Sequence, residues 1–285
     1  MSLFDQLVDE ALNNQPHLAP LRMVVEKELL HHDILRELSH AALLKNLIFM
    51  GGTCLRACYG SSRLSEDLDF TGGADFSRES LSAIAQVLIA SLKTKYGLSI
   101  EVTEPTREVG NVDTWKLKVQ TRPGFRDQPA QRINIDVCAI PSYQPRPMML
   151  LNPYGVEMGT NGLIVQVESR EEILADKLVA FALRPNRMKY RDLWDIMWLH
   201  QQGVKLPIDL IPLKLKDHHC EFKHFLSLLD VRRGLLRTDP TVVVGFRKEM
   251  QRFLAAEALK TLEQVSFWEF LVNLMDDLCR QIQRI

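Results

Sequence analysis

Apolar residues in the first forty-five positions return about once per helical turn. Leu21, Val25, Leu29, Ile34 and Leu38 make one stripe with Pro20 ahead of it, which predicts helix over this stretch. The period then breaks. Leu47-Ile48-Phe49-Met50 is a short apolar run stopped by Gly51-Gly52, the pattern of a buried strand ending in a tight turn. A helical turn is expected over 53–59, then a strand over 67–70 that stops at Gly72-Gly73. Helical spacing resumes over 77–96 through Leu81, Ile84, Val87, Leu88 and Leu92. From 98 the period is two. Residues 98–102, 115–119 and 133–137 each place apolar side chains on one face and polar ones on the other. A last strand is expected at 163–165. Beyond it the pattern is helical: Ser169 with Glu172 reads as a capping box, and amphipathic runs follow at 170–184, 189–202, 218–230, 240–257 and 264–283. The expected organisation is an α+β domain over 1–165, a mixed sheet flanked by helices, followed by an all-helical domain over 166–285.

Composition narrows the class. The chain has 285 residues, 46% of them hydrophobic, enough for a sizeable core and against disorder. No apolar run approaches the roughly 18–20 residues that span a bilayer, and no basic-then-apolar leader opens the chain, so a cytoplasmic protein without membrane attachment is expected. A net charge of −1 argues against bulk coating of nucleic acid, while a local basic patch stays possible. Five scattered cysteines fit reduced thiols. His218, His219, Cys220 and His224 have no second His/Cys cluster beside them, so no zinc site is expected.

The chemistry concentrates in Gly51-Gly52-Thr53-Cys54-Leu55-Arg56 and Arg63-Leu64-Ser65-Glu66-Asp67-Leu68-Asp69-Phe70. Glycines where a strand becomes a helix let backbone N–H groups and a helix N-terminus approach a phosphate, and Thr53 adds a hydroxyl. Asp67 and Asp69, two apart on a strand, share a face. Two carboxylates ~4 Å apart at an effective dielectric of ~20 repel by ~4 kcal/mol, which a divalent cation removes; oxygen ligands suit Mg²⁺ or Mn²⁺. Asp136 lies opposite the apolar set of its own strand, on the face where the other two acids can lie. Three carboxylates around metal can deprotonate a hydroxyl and steady an in-line phosphoryl displacement.

GGT followed by RLSEDLDF resembles the signature of the DNA polymerase beta-like nucleotidyltransferase superfamily, and the Arg-x-Ser-x-Asp-x-Asp form resembles the AbiEii/AbiGii toxin family, related to the MenT toxins. A second block agrees. Asp176-Lys177-Leu178 through Arg184, and Arg191-Asp192-Leu193-Trp194-Asp195-Ile196, resemble that family's helical motifs. The resemblance covers about residues 45–200. It implies a metal-dependent nucleotidyltransferase that moves a nucleotide from an NTP to a tRNA or other RNA end or a protein hydroxyl. It also implies a toxin of a type IV toxin–antitoxin or abortive-infection system, with a cognate antitoxin. Gly51, Gly52, Thr53 and Ser65 would line the phosphates. Asp67 and Asp69 would ligate metal and, with Lys177, be catalytic; third-acid usage varies in such folds, and it is the strand reading that adds Asp136 as a third ligand and catalytic acid. Lys177, Asp192 and Asp195 would complete the nucleotide pocket, in a cleft closed by the helical domain. Arg184, Arg187, Lys189 and Arg191 form a local basic cluster that could hold an RNA acceptor. Two other readings use the same residues: a metal-dependent phosphohydrolase, and a non-catalytic module that binds nucleotide or a partner.

Overall fold

In the computed structural model, residues 2–106, 110–122, 130–185 and 187–284 are described. They fall into two compact units, 1–168 and 169–285.

The first unit opens with α1 (Leu3–Asn14), whose start is fixed by a reciprocal Ser2/Asp5 capping box. A 3-10 segment, Pro16–Leu21, leads into α2 (Arg22–His40). The predicted continuous helix is thus divided, because Pro16 and Pro20 deny the backbone donors an α-helix needs. Then come β1 (Ile48–Met50), α3 (Gly51–Tyr59), β2 (Leu68–Thr71), α4 (Ile84–Tyr96), β3 (Ser99–Thr103), β4 (Val112–Gln120), β5 (Gln131–Cys138), β6 (Pro145–Met149) and β7 (Ile164–Glu168). The strands form one mixed sheet in the order β3-β4-β5-β2-β1-β7-β6. β2 runs parallel to β5 and antiparallel to β1; β1 is parallel to β7. The unpredicted β6 carries Pro145 and Pro147, which suits its place at the sheet edge, where missing N–H donors cost nothing.

The period-two pattern sends Trp115, Leu117, Val119, Ile133, Ile135 and Val137 into one core. α2 packs on β5 and α4, while α3 packs on β1 and β2. Burial around α2 is nearly complete: Glu26, Glu28, His31, His32 and Asp33 lie buried beside Val25, Leu29 and Leu30. Burial, the largest influence, holds His31 near pKa 3 and His32 near 4, below the ordinary 6.5. The unfolded chain therefore takes up two protons that the folded chain refuses. That contribution to stability is complete above pH 6.5 and is lost as the pH falls from there toward 4. At pH 5 the loss comes to about 2 kcal/mol per histidine. Thermal unfolding between pH 7 and 5 should show this slope, and His32→Gln should halve it.

The second unit contains α5 (Arg170–Leu183), α6 (Tyr190–Gln201), α7 (Leu210–Asp217), α8 (Phe222–Thr238), α9 (Pro240–Met250), α10 (Ala256–Glu263) and α11 (Val265–Ile282). The Ser169 hydroxyl accepts the Glu172 N–H at the start of α5. The expected helix over 240–257 ends at Met250, and residues 256–263 begin a new one. α5 packs on α6, α7 and α8, with Phe246, Phe267, Trp194 and Trp268 filling a neighbouring aromatic cluster. Among the described residues, no helix is long and apolar enough to cross a membrane.

Candidate active site

β1 delivers the chain to Gly51, whose φ of +75° turns it sharply into α3. L side chains avoid that conformation, and a Cβ at Gly51 would also lie 2.9 Å from Asp69 Oδ2. A Cβ at Gly52 would collide with the Arg63 guanidinium. Gly51 is therefore required by its conformation and its approach to a carboxylate, while a side chain at Gly52 would have to displace the Arg63 guanidinium. The first-turn N–H groups of α3 have no partner within the helix and are the groups such a turn offers to an anion.

Asp67 immediately precedes β2 and Asp69 lies on it, both half-buried, with Leu68 between them fully in the core. Parallel pairing of β2 with β5 sets Asp69 directly beside Asp136, on one face of adjacent strands. Asp67 Oδ1 accepts the Asn134 N–H at 3.0 Å, tying the first acid to the same strand. The Asp67 carboxyl is raised above its ordinary value: burial is the main cause, and the charges of Asp69 and Glu66 add to it. The donors are of the type a hard divalent cation takes, carboxylate oxygens whose charges repel. Among the described residues, no group of three or more His, Cys, Asp or Glu is placed to hold a metal ion by itself. An ion held by these acids would draw its remaining ligands from phosphate and water, as Mg²⁺ usually does.

Thr53 and Ser65 sit differently from simple phosphate-facing hydroxyls. Both are buried. The Thr53 hydroxyl donates to the Asp67 carbonyl, and the Ser65 hydroxyl lies 2.6 Å from it. They bind the two halves of the motif to each other. Behind them stands a network that sequence reading did not assign. Glu28 Oε1 accepts the Ser65 N–H at 2.8 Å, while Glu28 Oε2 takes Arg56 at 3.0 Å and the Tyr154 hydroxyl. His31 donates through Nε2 to the Glu66 carbonyl at 3.0 Å, and Lys27 pairs with the Glu66 carboxylate at 2.9 Å. The available signal was polar residues set into an apolar helix, here α2.

The second unit brings together Lys177, Asp192 and Asp195. Lys177 Nζ lies 2.7 Å from Asp192 and 2.9 Å from Asp195, and Arg184 reaches the other Asp192 oxygen at 3.0 Å. Burial alone would raise the Asp192 carboxyl, but the Lys177 and Arg184 charges hold it below the ordinary carboxylate value. Of the remaining basic cluster, Arg191 pairs with Glu249 at 3.2 Å and covers the Phe253 ring, whereas Arg187 is exposed.

A family profile described as nucleotidyl transferase AbiEii toxin, type IV TA system, matches residues 33–271. Among solved structures, the chain is similar to the nucleotidyltransferase toxin MenT4 of Mycobacterium tuberculosis H37Rv, at 15% identity, with 98% of each chain covered and a TM-score of 0.55. It is also similar to JHP933 from Helicobacter pylori, at 16% identity over 92% of this chain and 94% of that one, with a TM-score of 0.48. The likeness to MenT4 is one of fold. No curated protein matches the sequence.

Proposed function

The chain belongs to the AbiEii family of nucleotidyl transferase toxins, and from that premise we propose that it moves a nucleotide from an NTP onto an acceptor hydroxyl at Asp67, Asp69 and Asp136. The observation that carries this reading is the register of Asp69 beside Asp136, with Gly51 held against the Asp69 carboxylate. Bound Mg²⁺ or Mn²⁺ would supply neutralisation of phosphate charge and a lowered pKa for the acceptor hydroxyl. The protein's own part is positioning. First-turn N–H groups of Gly52 and Thr53 receive the triphosphate, and the acids fix the acceptor oxygen in line with the α-phosphorus. A new P–O bond forms there as the bond to the β-phosphate oxygen breaks. Pyrophosphate leaves, and the hydroxyl proton passes to a carboxylate of the set, for which Asp136 is the choice. Thr53 and Ser65 serve through their backbone and by bracing Asp67.

Lys177, steered by Asp192 and Asp195, is assigned to the nucleotide phosphates. As a type IV toxin, the chain would have a cognate antitoxin.

The test is transfer of label. The full chain is incubated with each α-labelled NTP, Mg²⁺ or Mn²⁺ and total RNA, with a chelator control. Label in RNA or protein that vanishes with the chelator is the expected result. Free labelled monophosphate without any labelled acceptor would replace this reading with a phosphohydrolase. Bound nucleotide with no movement of label would replace it with a binding module.

A further inference from the structure

Asp67 lies one residue ahead of β2, outside the ladder that holds Asp69 and Asp136. The pairs that β2 makes with β1 and β5 start at Asp69 and Leu68. Its carboxylate is aimed by other contacts. The Glu66 carbonyl, in the peptide before Asp67, accepts from His31 Nε2 of α2 at 3.0 Å. The Asp67 carbonyl, in the peptide after it, accepts from the Thr53 hydroxyl of α3. The carboxylate itself accepts the Asn134 N–H of β5 at 3.0 Å. Peptide units are planar, so holding the planes on both sides of a residue fixes its φ and ψ, and with them the direction of its side chain.

The His31 ring has a second nitrogen that these contacts do not use. A carbonyl only accepts, so Nε2 carries the ring's proton; burial keeps the ring neutral, which leaves Nδ1 a bare acceptor. Nδ1 is buried and has no hydrogen-bond partner among the described residues. An atom in that position costs stability unless something donates to it. His31 also lines a cavity of about 20 Å³, together with Glu28, Leu35, Thr53, Arg56 and Leu150. That volume has room for one water, and Glu28 and Thr53 bring oxygens to the same lining for the water's second hydrogen.

We propose that His31 is a positioning residue for Asp67: a water fixed in this cavity donates to Nδ1, holds the ring with its Nε2–H toward the Glu66 carbonyl, and so sets the peptide from which the Asp67 carboxylate is aimed. This rests on the nucleotidyl-transfer reading of Asp67 and adds the residue that aims it. His31 acts through the backbone, not on the reacting atoms.

Two amide variants divide the ring. In His31→Gln the amide nitrogen takes the place of Nε2 and still reaches the Glu66 carbonyl. In His31→Asn the amide takes the place of Nδ1 and falls short of it. Both replace the same buried ring, so both should lower the melting temperature, but only His31→Asn should disturb Asp67. Hydrogen exchange of the full chain reads this at the Asn134 amide, which donates to the Asp67 carboxylate. Exchange there should rise about tenfold in His31→Asn, the effect of one lost hydrogen bond, while the neighbouring β5 amides keep their rates. In transfer assays His31→Asn should lower kcat roughly tenfold or more with KM for NTP unchanged, and His31→Gln should restore it. No difference between the two variants, or faster exchange spread over all of β5, would make His31 a packing residue and overturn the proposal. So would a high-resolution crystal structure of the wild-type chain with no water at Nδ1. The exchange arm needs no catalysis. A rise at Asn134 confined to His31→Asn, beside a wild-type chain that transfers no label, would overturn the reaction and keep the positioning role.

Discussion

Asp69→Asn is expected to reduce nucleotidyl transfer roughly a thousandfold and, without divalent metal, to raise the melting temperature by a few degrees. The amide keeps the shape that Gly51 accommodates but removes a negative charge set beside Asp136 and felt by Asp67. Charges of one sign at such a spacing cost up to about 4 kcal/mol at an effective dielectric near 20, and partial exposure leaves about 1 kcal/mol to recover. For a protein of this size, 1 kcal/mol corresponds to about 2–4 °C. The rate falls because the transition state loses a preorganised electrostatic contact, and removing one such contact commonly costs about 10²–10³-fold. The two measurements are a label-transfer rate and a thermal melt with and without Mg²⁺. Retained transfer together with a lower melting temperature would make Asp69 a structural residue.

Lys177→Met should remove about 3 kcal/mol of stability, because it takes the shared ammonium from the buried carboxylates of Asp192 and Asp195, Arg184 still meeting one Asp192 oxygen. Their side chains are 3% and 0% exposed, so water cannot replace the ammonium. Domains hold only about 5–15 kcal/mol in total, so the variant would be partly unfolded when warm. Its loss of transfer would then say nothing about phosphate. Lys177→Met/Asp192→Asn/Asp195→Asn separates the two effects by removing the buried charges together. Chemical denaturation should show the triple variant regaining most of the lost stability. If it then transfers nucleotide normally, the cluster is structural; if it folds and fails, Lys177 belongs to the nucleotide site.

Local pattern carried much of the architecture. Alternation at 115–119 and 133–137 marked β4 and β5, and the two glycines marked the turn from β1 into α3. Of the elements that escaped, two are masked by prolines: β6 with Pro145 and Pro147, and α7 with Pro212 inside it. The nearness of the two acids was legible from their spacing of two, as the action of the Asp69 charge on the Asp67 carboxyl shows. Nearness was not legible where partners lie far apart in sequence. Glu28 reaches Ser65 over 37 positions and Tyr154 over 126, and no period or motif announces such a pairing. Residue type alone also does not tell that the hydroxyls of Thr53 and Ser65 meet each other and the Asp67 carbonyl within the fold.

The footing of the acid loop has a consequence for how relatives are delimited. The match to the family begins at residue 33, partway along α2. Lys27, Glu28 and His31, which grip Ser65 and Glu66, all precede it. The segment by which this chain is recognised is thus shorter than the segment that supports its acid loop. Trimmed to the matched part, the chain would keep every motif and lose the abutment of Ser65 and Glu66.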